Sequence, residues 1–300
     1  MRKIEIYIKP KVSVIIVTYN SQSEIKACLD SLQPCLNSGR NEVFIIDNNS
    51  KDKTVEEILK YDQENLILLK NSKNFGFTKA VNQGISKSKG DYIFILNPDT
   101  KIEVDIIKKL SNKLNSNPKI AVAAPQLRFP DGRIQYSCRR FPTYTNILIE
   151  ILRLYRFKKF QGWKMRSFDH KTQLIVDQPA GAALFIRRSI INHLYGLDER
   201  FPMFFSDVDL CKRIKDLGLI IMFYPNIIVY HKGGSSIFRR RVSMIVSSHI
   251  SMIKYFIKHH YSLRCILPNL LIAFFLIISI PIRILIYFIY PNYGKIRNTL

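Results

Sequence analysis

Four short apolar runs set the terms on which this chain can fold. They are Val12–Val17, Glu42–Ile46, Leu66–Leu69 and Asp91–Leu96, and each gives way to polar residues. Continuous apolar runs of this length suit strands covered on both faces. The stretches between them carry helical patterning. One helix is expected at roughly 23–33 with Ser21 or Ser23 as its cap, a second over Lys51–Lys60, and a third opened by Asn74-Phe75-Gly76-Phe77 and running to about Ser88. Strands alternating with such helices predict βαβ units, hence an α/β fold with a mainly parallel, Rossmann-like sheet flanked by helices. Right-handed crossovers then place all four strand ends along one edge. The polar residues there are Asn20, Asp47, Asn74 (just beyond the third strand) and Asp99. Open α/β sheets bind ligands at that edge.

Asp99 closes the run Phe94-Ile95-Leu96-Asn97-Pro98-Asp99-Thr100, where Pro98 cannot continue a ladder. Taken alone, Asp99 reads first as the cap of a helix expected at about 103–115, with Thr100 helping. Grouped with three other polar strand ends, and with Asp207 and His231 arriving later, it reads instead as a carboxylate able to hold a divalent ion that in turn holds a diphosphate.

In the second half, Ala121–Leu127 predicts a strand and Pro130-Asp131-Gly132-Arg133 a hairpin turn. Residues 137–175 are irregular, basic and aromatic, and contain Trp163, the chain's one tryptophan. They suit either a substrate-covering insertion or a surface helix pair. Pro179-Ala180-Gly181-Ala182-Ala183 leads into a strand at Leu184–Ile186. Its small side chains permit close approach of a ligand at Gly181, and tight packing would explain them as well. A helix is expected from Ser206 to Leu217, ended by Gly218. Asp207 and Asp209 fall in its first turn, where the helix dipole favours anions. Asp207 also follows Met203-Phe204-Phe205, and an apolar wall raises a carboxylate's pKa toward base-competent values. Strands at Ile220–Pro225 and Ile227–Tyr230 end at His231-Lys232-Gly233-Gly234-Ser235-Ser236, a cationic glycine-bearing loop in which His231 is a candidate ligand or phosphate contact.

Charge is unevenly placed. The formal net charge is +23, yet the last acidic residue is Asp216, and residues 217–300 carry ten Lys or Arg. The excess adjoins long aliphatic runs: Cys265–Ile282 without a charge, then Ile284–Tyr290 after Arg283. A nucleic-acid partner would need basic and aromatic residues on one binding face. Cations beside aliphatic runs suit the cytoplasmic leaflet of a membrane better, whether through a spanning helix, an interfacial helix pair or a buried hairpin. The expected organisation is a main α/β domain over residues 1–238 and a basic, hydrophobic helical tail over 239–300. The amino end has no signal-peptide pattern, and five scattered cysteines without metal-ligand spacing read as free thiols in a reducing compartment. The expected location is therefore the cytoplasmic face of the plasma membrane.

Several segments now stand in a familiar order: VSVIIVTYN (12–20), IIDNNSKD (45–52), NFGFTKAVNQGI (74–85), FILNPDT (94–100), GAALFIRR (181–188), LDERFPMFFSDVDLCKRI (197–214) and VYHKGGSS (229–236). Together they resemble the family 2 inverting glycosyltransferases of GT-A fold. DGRIQYSCRRFPT (131–143) resembles the rhamnosyltransferase-type branch. The likeness covers roughly residues 11–260. It implies a nucleotide-sugar half at about 11–127 and an acceptor half at about 128–238. It implies a hexosyltransferase that uses a nucleotide-diphosphate sugar, deoxythymidine-diphosphate rhamnose before a uridine-diphosphate sugar, with Mg2+ or Mn2+, on a lipid-linked or glycan acceptor. Thr18, Tyr19 and Asn20 would line the nucleotide pocket, and Asp47 would bond the base or ribose. Asn74, Gly76 and Lys79 would surround the sugar or phosphates. Asn97 and Asp99 stand at the acidic metal motif, with Asn in place of the first Asp, so Asp99 would be the metal carboxylate and His231 would complete the site. Asp207 matches the catalytic base. Ser206 replaces a Glu that is common in the family, which leaves a catalytically inactive member as the rival reading. Asp209, Gly181 and Trp163 would lie on the acceptor side.

Overall fold

The computed structural model describes residues 11–37, 39–152, 154–157, 160, 162–233 and 241–289. It divides into two compact units. One holds the chain up to Pro202 together with Ser206–Gly233, and the other holds Met203–Phe205 and the residues after Gly233.

The first unit is built on the expected alternation. The first half runs β1 (Val12–Thr18), α1 (Gln22–Leu36), β2 (Asn41–Asp47), α2 (Thr54–Ile58), β3 (Leu66–Lys70), α3 (Phe77–Lys87) and β4 (Tyr92–Leu96). There follow β5 (Thr100–Ile102), α4 (Ile106–Asn115), β6 (Ile120–Arg128), β7 (Cys138–Arg139) and α5 (Tyr144–Ile151). The unit closes with β8 (Leu174–Ile175), β9 (Gln178–Pro179), β10 (Ala183–Arg187), α6 (Arg188–His193), α7 (Ser206–Asp216) and β11 (Ile220–His231). The main sheet has the order β3-β2-β1-β4-β10-β6-β11-β5, with β8 on β11. β3, β2, β1 and β4 pair in parallel, as do β6 and β11, while β10 lies antiparallel between β4 and β6. The fold is therefore the α/β, GT-A-like arrangement expected, a mixed and mostly parallel sheet.

Strand periodicity sorts the core into two layers. Val12, Val14 and Ile16 face α1 and α4, meeting Ile25, Leu29, Leu32, Ile106 and Leu110. Ile15 and Val17 face the other way, toward Ala80 and Val81 of α3 and Leu210 and Ile214 of α7. Both faces of β1 are thus buried, which is why its sequence is continuously apolar rather than alternating.

The structure decides three readings. Asp99 does not cap a helix: Thr100–Ile102 is a strand, antiparallel to β11 through His231↔Thr100 and Val229↔Ile102, and α4 begins only at Ile106. The two strands expected at 220–230 are one strand with a register shift between Tyr224 and Ile228, which absorbs Pro225. Residues 137–175 form no helix pair among the described residues. They hold α5, capped reciprocally by Thr143 and Asn146, and short strands.

In the second unit, helices Arg241–His259 and Ile266–Ile289 flank a turn at Leu263–Cys265, and Asn269 Nδ2 donates to the His260 carbonyl at 2.8 Å. Tyr255 and Phe256 are buried there, and Phe205 packs on the Tyr255 ring. Leu267, Leu270, Phe274 and Ile277 stay exposed, so this is not a buried hairpin. Among the described residues, one helix, Leu263–Ile289, is long and apolar enough to cross a membrane. Residues 1–10, Gly234–Ser236, Arg239 and Arg240 lie outside the described residues.

Candidate active site

The carboxyl edge of the sheet gathers the polar strand ends as the topology requires. At the end of β2 the Asp47 carboxylate is buried and accepts from Thr18 Oγ1 (2.9 Å), Ser50 N (2.9 Å) and Ser50 Oγ (2.5 Å). Asn20 has φ +53°, donates its N–H to Ser50 Oγ and accepts from Lys51 N, so β1 and β2 deliver one interlocked pair of loops. Tyr19 is half-buried, and its N–H points to Ser21 Oγ at 3.4 Å. The exposed Asn74 accepts from Gly76 N at 2.9 Å. Gly76 has φ +88°, and a Cβ there would lie 2.9 Å from the Pro202 carbonyl oxygen. The segment 197–202 is itself sewn to α3, through Thr78 N to the Pro202 carbonyl (3.1 Å) and Asn82 Nδ2 to the Leu197 carbonyl (2.8 Å).

Two acidic centres stand at this edge. Asp99 follows β4, with Oδ1 3.3 Å from His231 Nε2 and Oδ2 accepting from Gly233 N at 3.2 Å. The strand pairing of Thr100–Ile102 with Val229–His231 is what brings Asp99 and His231 together. His231 Nδ1 lies 2.8 Å from Gln135 Oε1, an acceptor, so Nδ1 carries the hydrogen. In the neutral ring Nε2 then turns a lone pair toward a carboxylate oxygen, an arrangement that a cation between them satisfies. No group of three or more His, Cys, Asp or Glu among the described residues could hold a metal ion. A hard divalent ion bound by one carboxylate and completed by substrate phosphates needs no third. The residues present therefore fit such an ion.

The second centre is Asp207, half-buried at the start of α7. Its Oδ2 accepts from Gly181 N (2.9 Å) and Gln178 Nε2 (3.3 Å), and Oδ1 from Val208 N (2.9 Å). Burial pushes its carboxyl above the ordinary range, against the pull of the Val208 and Gly181 N–H groups and of the Arg139 cation. The neighbouring Ala182 carbonyl accepts from Asn97 N at 2.9 Å. One dipeptide, Gly181-Ala182, thus ties the Asn97–Asp99 turn to Asp207.

The sequence profile of glycosyl transferase family 2 matches residues 13–194, more than half of the 300-residue chain. The chain belongs to that family. It is a glycosyltransferase, and its relatives match the same architecture. An N-acetylglucosaminyl-diphospho-decaprenol L-rhamnosyltransferase of Mycobacterium tuberculosis is 26% identical over 252 residues, covering 79% of this chain and 81% of that protein. A poly-beta-1,6-N-acetyl-D-glucosamine synthase of Staphylococcus aureus is 28% identical over 120 residues, 39% of this chain and 29% of that one. Among solved structures, a Pyrobaculum calidifontis mannosyltransferase in complex with GDP-Man and Mn2+ superposes with a TM-score of 0.59 at 16% identity, covering 85% of this chain and 65% of that one. Residues 1–349 of S. aureus TarS give 0.54 at 17%, covering 88% and 78%.

Within this family 2 enzyme, not every expected site residue meets the site. Asp209 is fully buried and accepts from Arg213 Nε at 2.8 Å, while Arg213 also binds the Leu194 and Gly196 carbonyls. It holds the α6–α7 connection from the interior. Two residues apart on a helix, Asp207 and Asp209 point to nearly opposite sides, a signal the spacing already carried. Lys232 reaches the buried Glu24 (3.3 Å), and Lys79 lies over the Phe75 ring (5.1 Å). Phe205 packs on Tyr255, while Gly181, Gln178 and Arg139 surround the Asp207 carboxyl. Trp163 is half-buried beneath Arg139, 5.2 Å from guanidinium carbon to ring centroid. Arg139 and Gln178 were not legible as site residues. Each lies in a two-residue strand, and only their pairing, Arg139↔Gln178, reveals them.

Proposed function

We propose that this enzyme transfers a sugar, with inversion, from a nucleotide-diphosphate donor to a lipid-linked or polysaccharide acceptor in cell-surface glycan synthesis. Deoxythymidine-diphosphate rhamnose is the favoured donor, from the rhamnosyltransferase relative, with uridine-diphosphate sugars next. The observation that carries the mechanism is the Gly181-Ala182 bridge, which sets Asp207 beside the Asn97–Asp99 turn.

Asp207 takes the proton from an acceptor hydroxyl as it attacks the anomeric carbon in a single displacement. Burial suits it to this role by raising its proton affinity, while the Gly181 and Gln178 donors fix its orientation. The loops closed by Asp47, Thr18, Tyr19 and Asn20 hold the nucleotide, and Asn74, Gly76, Lys79 and Asn97 border the sugar and phosphates. Asp99 and His231 would hold Mg2+ or Mn2+, which would supply charge neutralisation of the diphosphate leaving group. The basic, apolar carboxyl-terminal helices bring the enzyme to the cytoplasmic leaflet, where lipid-linked acceptors lie.

A panel of nucleotide sugars with and without chelator tests donor and metal together. Asp207→Asn is expected to lose at least about 100-fold in transfer. Near-normal transfer by that variant overturns the base assignment, and transfer unaffected by chelation overturns the metal role.

A further inference from the structure

Among the described residues, one hydrogen-bonded pair of strands lies outside the main sheet, β7 with β9, and it is packed into the core through Cys138. It places two side chains, Arg139 and Gln178, directly opposite each other. Cross-strand partners lie on one face of their ladder, within reach of a common third group. Here that group is the Asp207 carboxyl, which takes the Gln178 amide hydrogen at 3.3 Å and has Arg139 as the cation acting on it.

The surrounding charges are already matched, so Arg139 stands out. Asp209, two residues on, is paired with Arg213 at 2.8 Å. Glu150 of α5 is gripped by both arms of Arg166, at 2.6 and 2.8 Å. Asp177, preceding β9, faces Lys215 of α7 at 3.9 Å. Cys211, one turn along α7, is fully buried, and burial holds its thiol protonated. Of the described cations, Arg139 is left with Asp207 as its foremost carboxylate. Its guanidinium is stacked over Trp163, 5.2 Å from the ring centroid, and arginine keeps its charge when desolvated.

Resting on the reading of Asp207 as the base, we propose that the β7–β9 pair is a base-tuning device. Arg139, held by Trp163, keeps the buried Asp207 carboxylate ionised through space, and Gln178 aims it through its amide. Both act through Asp207, so both are positioning residues. The opposition matters chemically. Burial favours the neutral form of Asp207 and raises its proton affinity, while the Arg139 cation and the amide donors favour the ionised form that can take a proton.

The experiment is a titration that does not need turnover. The full chain, labelled with carboxyl-13C aspartate in detergent micelles, is followed by NMR against pH, with Asp207→Asn assigning the Asp207 signal. Arg139→Gln is expected to move the Asp207 midpoint up by about one pH unit or more, the scale on which a nearby opposite charge acts. Gln178→Met moves it up by less, and Arg139→Lys restores most of the wild-type midpoint. Where transfer is measured, the acidic limb of kcat/KM follows the same shifts. An unmoved Asp207 midpoint in Arg139→Gln overturns the proposal. Should Arg139→Gln not fold, an unmoved midpoint in Gln178→Met does so. If Asp207→Asn keeps its transfer activity, the base assignment fails instead, and the titration still reports on Arg139.

Discussion

At the scale of single residues, two glycines show how the site limits its own sequence. Gly76 needs a backbone that side-chain-bearing residues rarely adopt, and it also needs room beneath the Pro202 carbonyl. Its own carbonyl takes the Asn48 side-chain amide at 3.1 Å, so the conformation is held from both sides. Gly76→Ala is expected to cost about 1–3 kcal/mol, the scale of a non-glycine residue forced into such a conformation, measured by denaturant unfolding. Gly181 is a different case. Its φ is unexceptional, but a Cβ there would lie 3.0 Å from Asp207 Oδ2. Gly181→Ala should cost about 1–3 kcal/mol, because the added methyl also crowds Asp207 Cβ at 3.1 Å, which is fixed to α7. It should lower kcat by about tenfold or more through misplacement of the base. A Gly181→Ala enzyme with unchanged kcat would show that Asp207 need not sit where Gly181 N holds it.

At the scale of elements, the strand–helix alternation was legible because strand burial on both faces writes itself as continuous apolar runs. The edge that collects Asn20, Asp47 and Asp99 followed from handedness alone. What was not legible is made of very short elements. Thr100–Ile102 is three residues long, too short for a period to show, and its pairing with β11 is what sets Asp99 beside His231. Arg139 and Gln178 are 39 positions apart, and no local pattern announces their pairing. The segment between them is pinned instead by a buried histidine. His170 Nδ1 lies 2.9 Å from the Phe168 carbonyl and so carries the hydrogen, leaving Nε2 to accept from the Cys138 N–H at 3.0 Å. Burial pushes its pKa below the ordinary value. The sign follows: the unfolded chain binds the proton more tightly, so the stability from the neutral ring is complete above the unfolded pKa of about 6.5 and is lost as pH falls below it toward the lowered folded value. Thermal unfolding at pH 7.5 and 5.5 should show a fall in Tm that is smaller in His170→Gln, which keeps an acceptor and does not titrate. An equal fall in both proteins would remove His170 from the account.

At the scale of the whole molecule, the proposed membrane contact turns on the acid-free carboxyl-terminal region. Helix Ile266–Ile289 has 24 residues, about 36 Å at 1.5 Å per residue, against a hydrocarbon core of about 30 Å. Length alone would let it span. Its sidedness argues otherwise. Leu267, Leu270, Phe274, Ile278, Ile282 and Leu285 are exposed and fall within roughly half the circumference at 3.6 residues per turn. Ile272 and Leu276 are buried on the opposite side, and Arg283 shares that side, close enough to raise the cost of charging His249 on helix Arg241–His259. A spanning helix would be apolar all round, whereas one whose polar residues Asn269, Ser279, Arg283 and Tyr287 share one side at 3.6 residues per turn lies in the interface with its apolar arc in lipid. The full chain is therefore predicted to bind vesicles containing anionic phosphatidylserine. Binding should weaken with salt as the cation contribution of about 1 kcal/mol per residue is screened. It should persist at 0.5 M NaCl, because buried apolar area is not screened, and be released by alkaline carbonate. Retention through carbonate extraction would mean that the helix crosses the bilayer, and the one-sided arc would then need another partner. Release by salt alone would mean that the arc is not buried in lipid and that the cations carry the whole attachment.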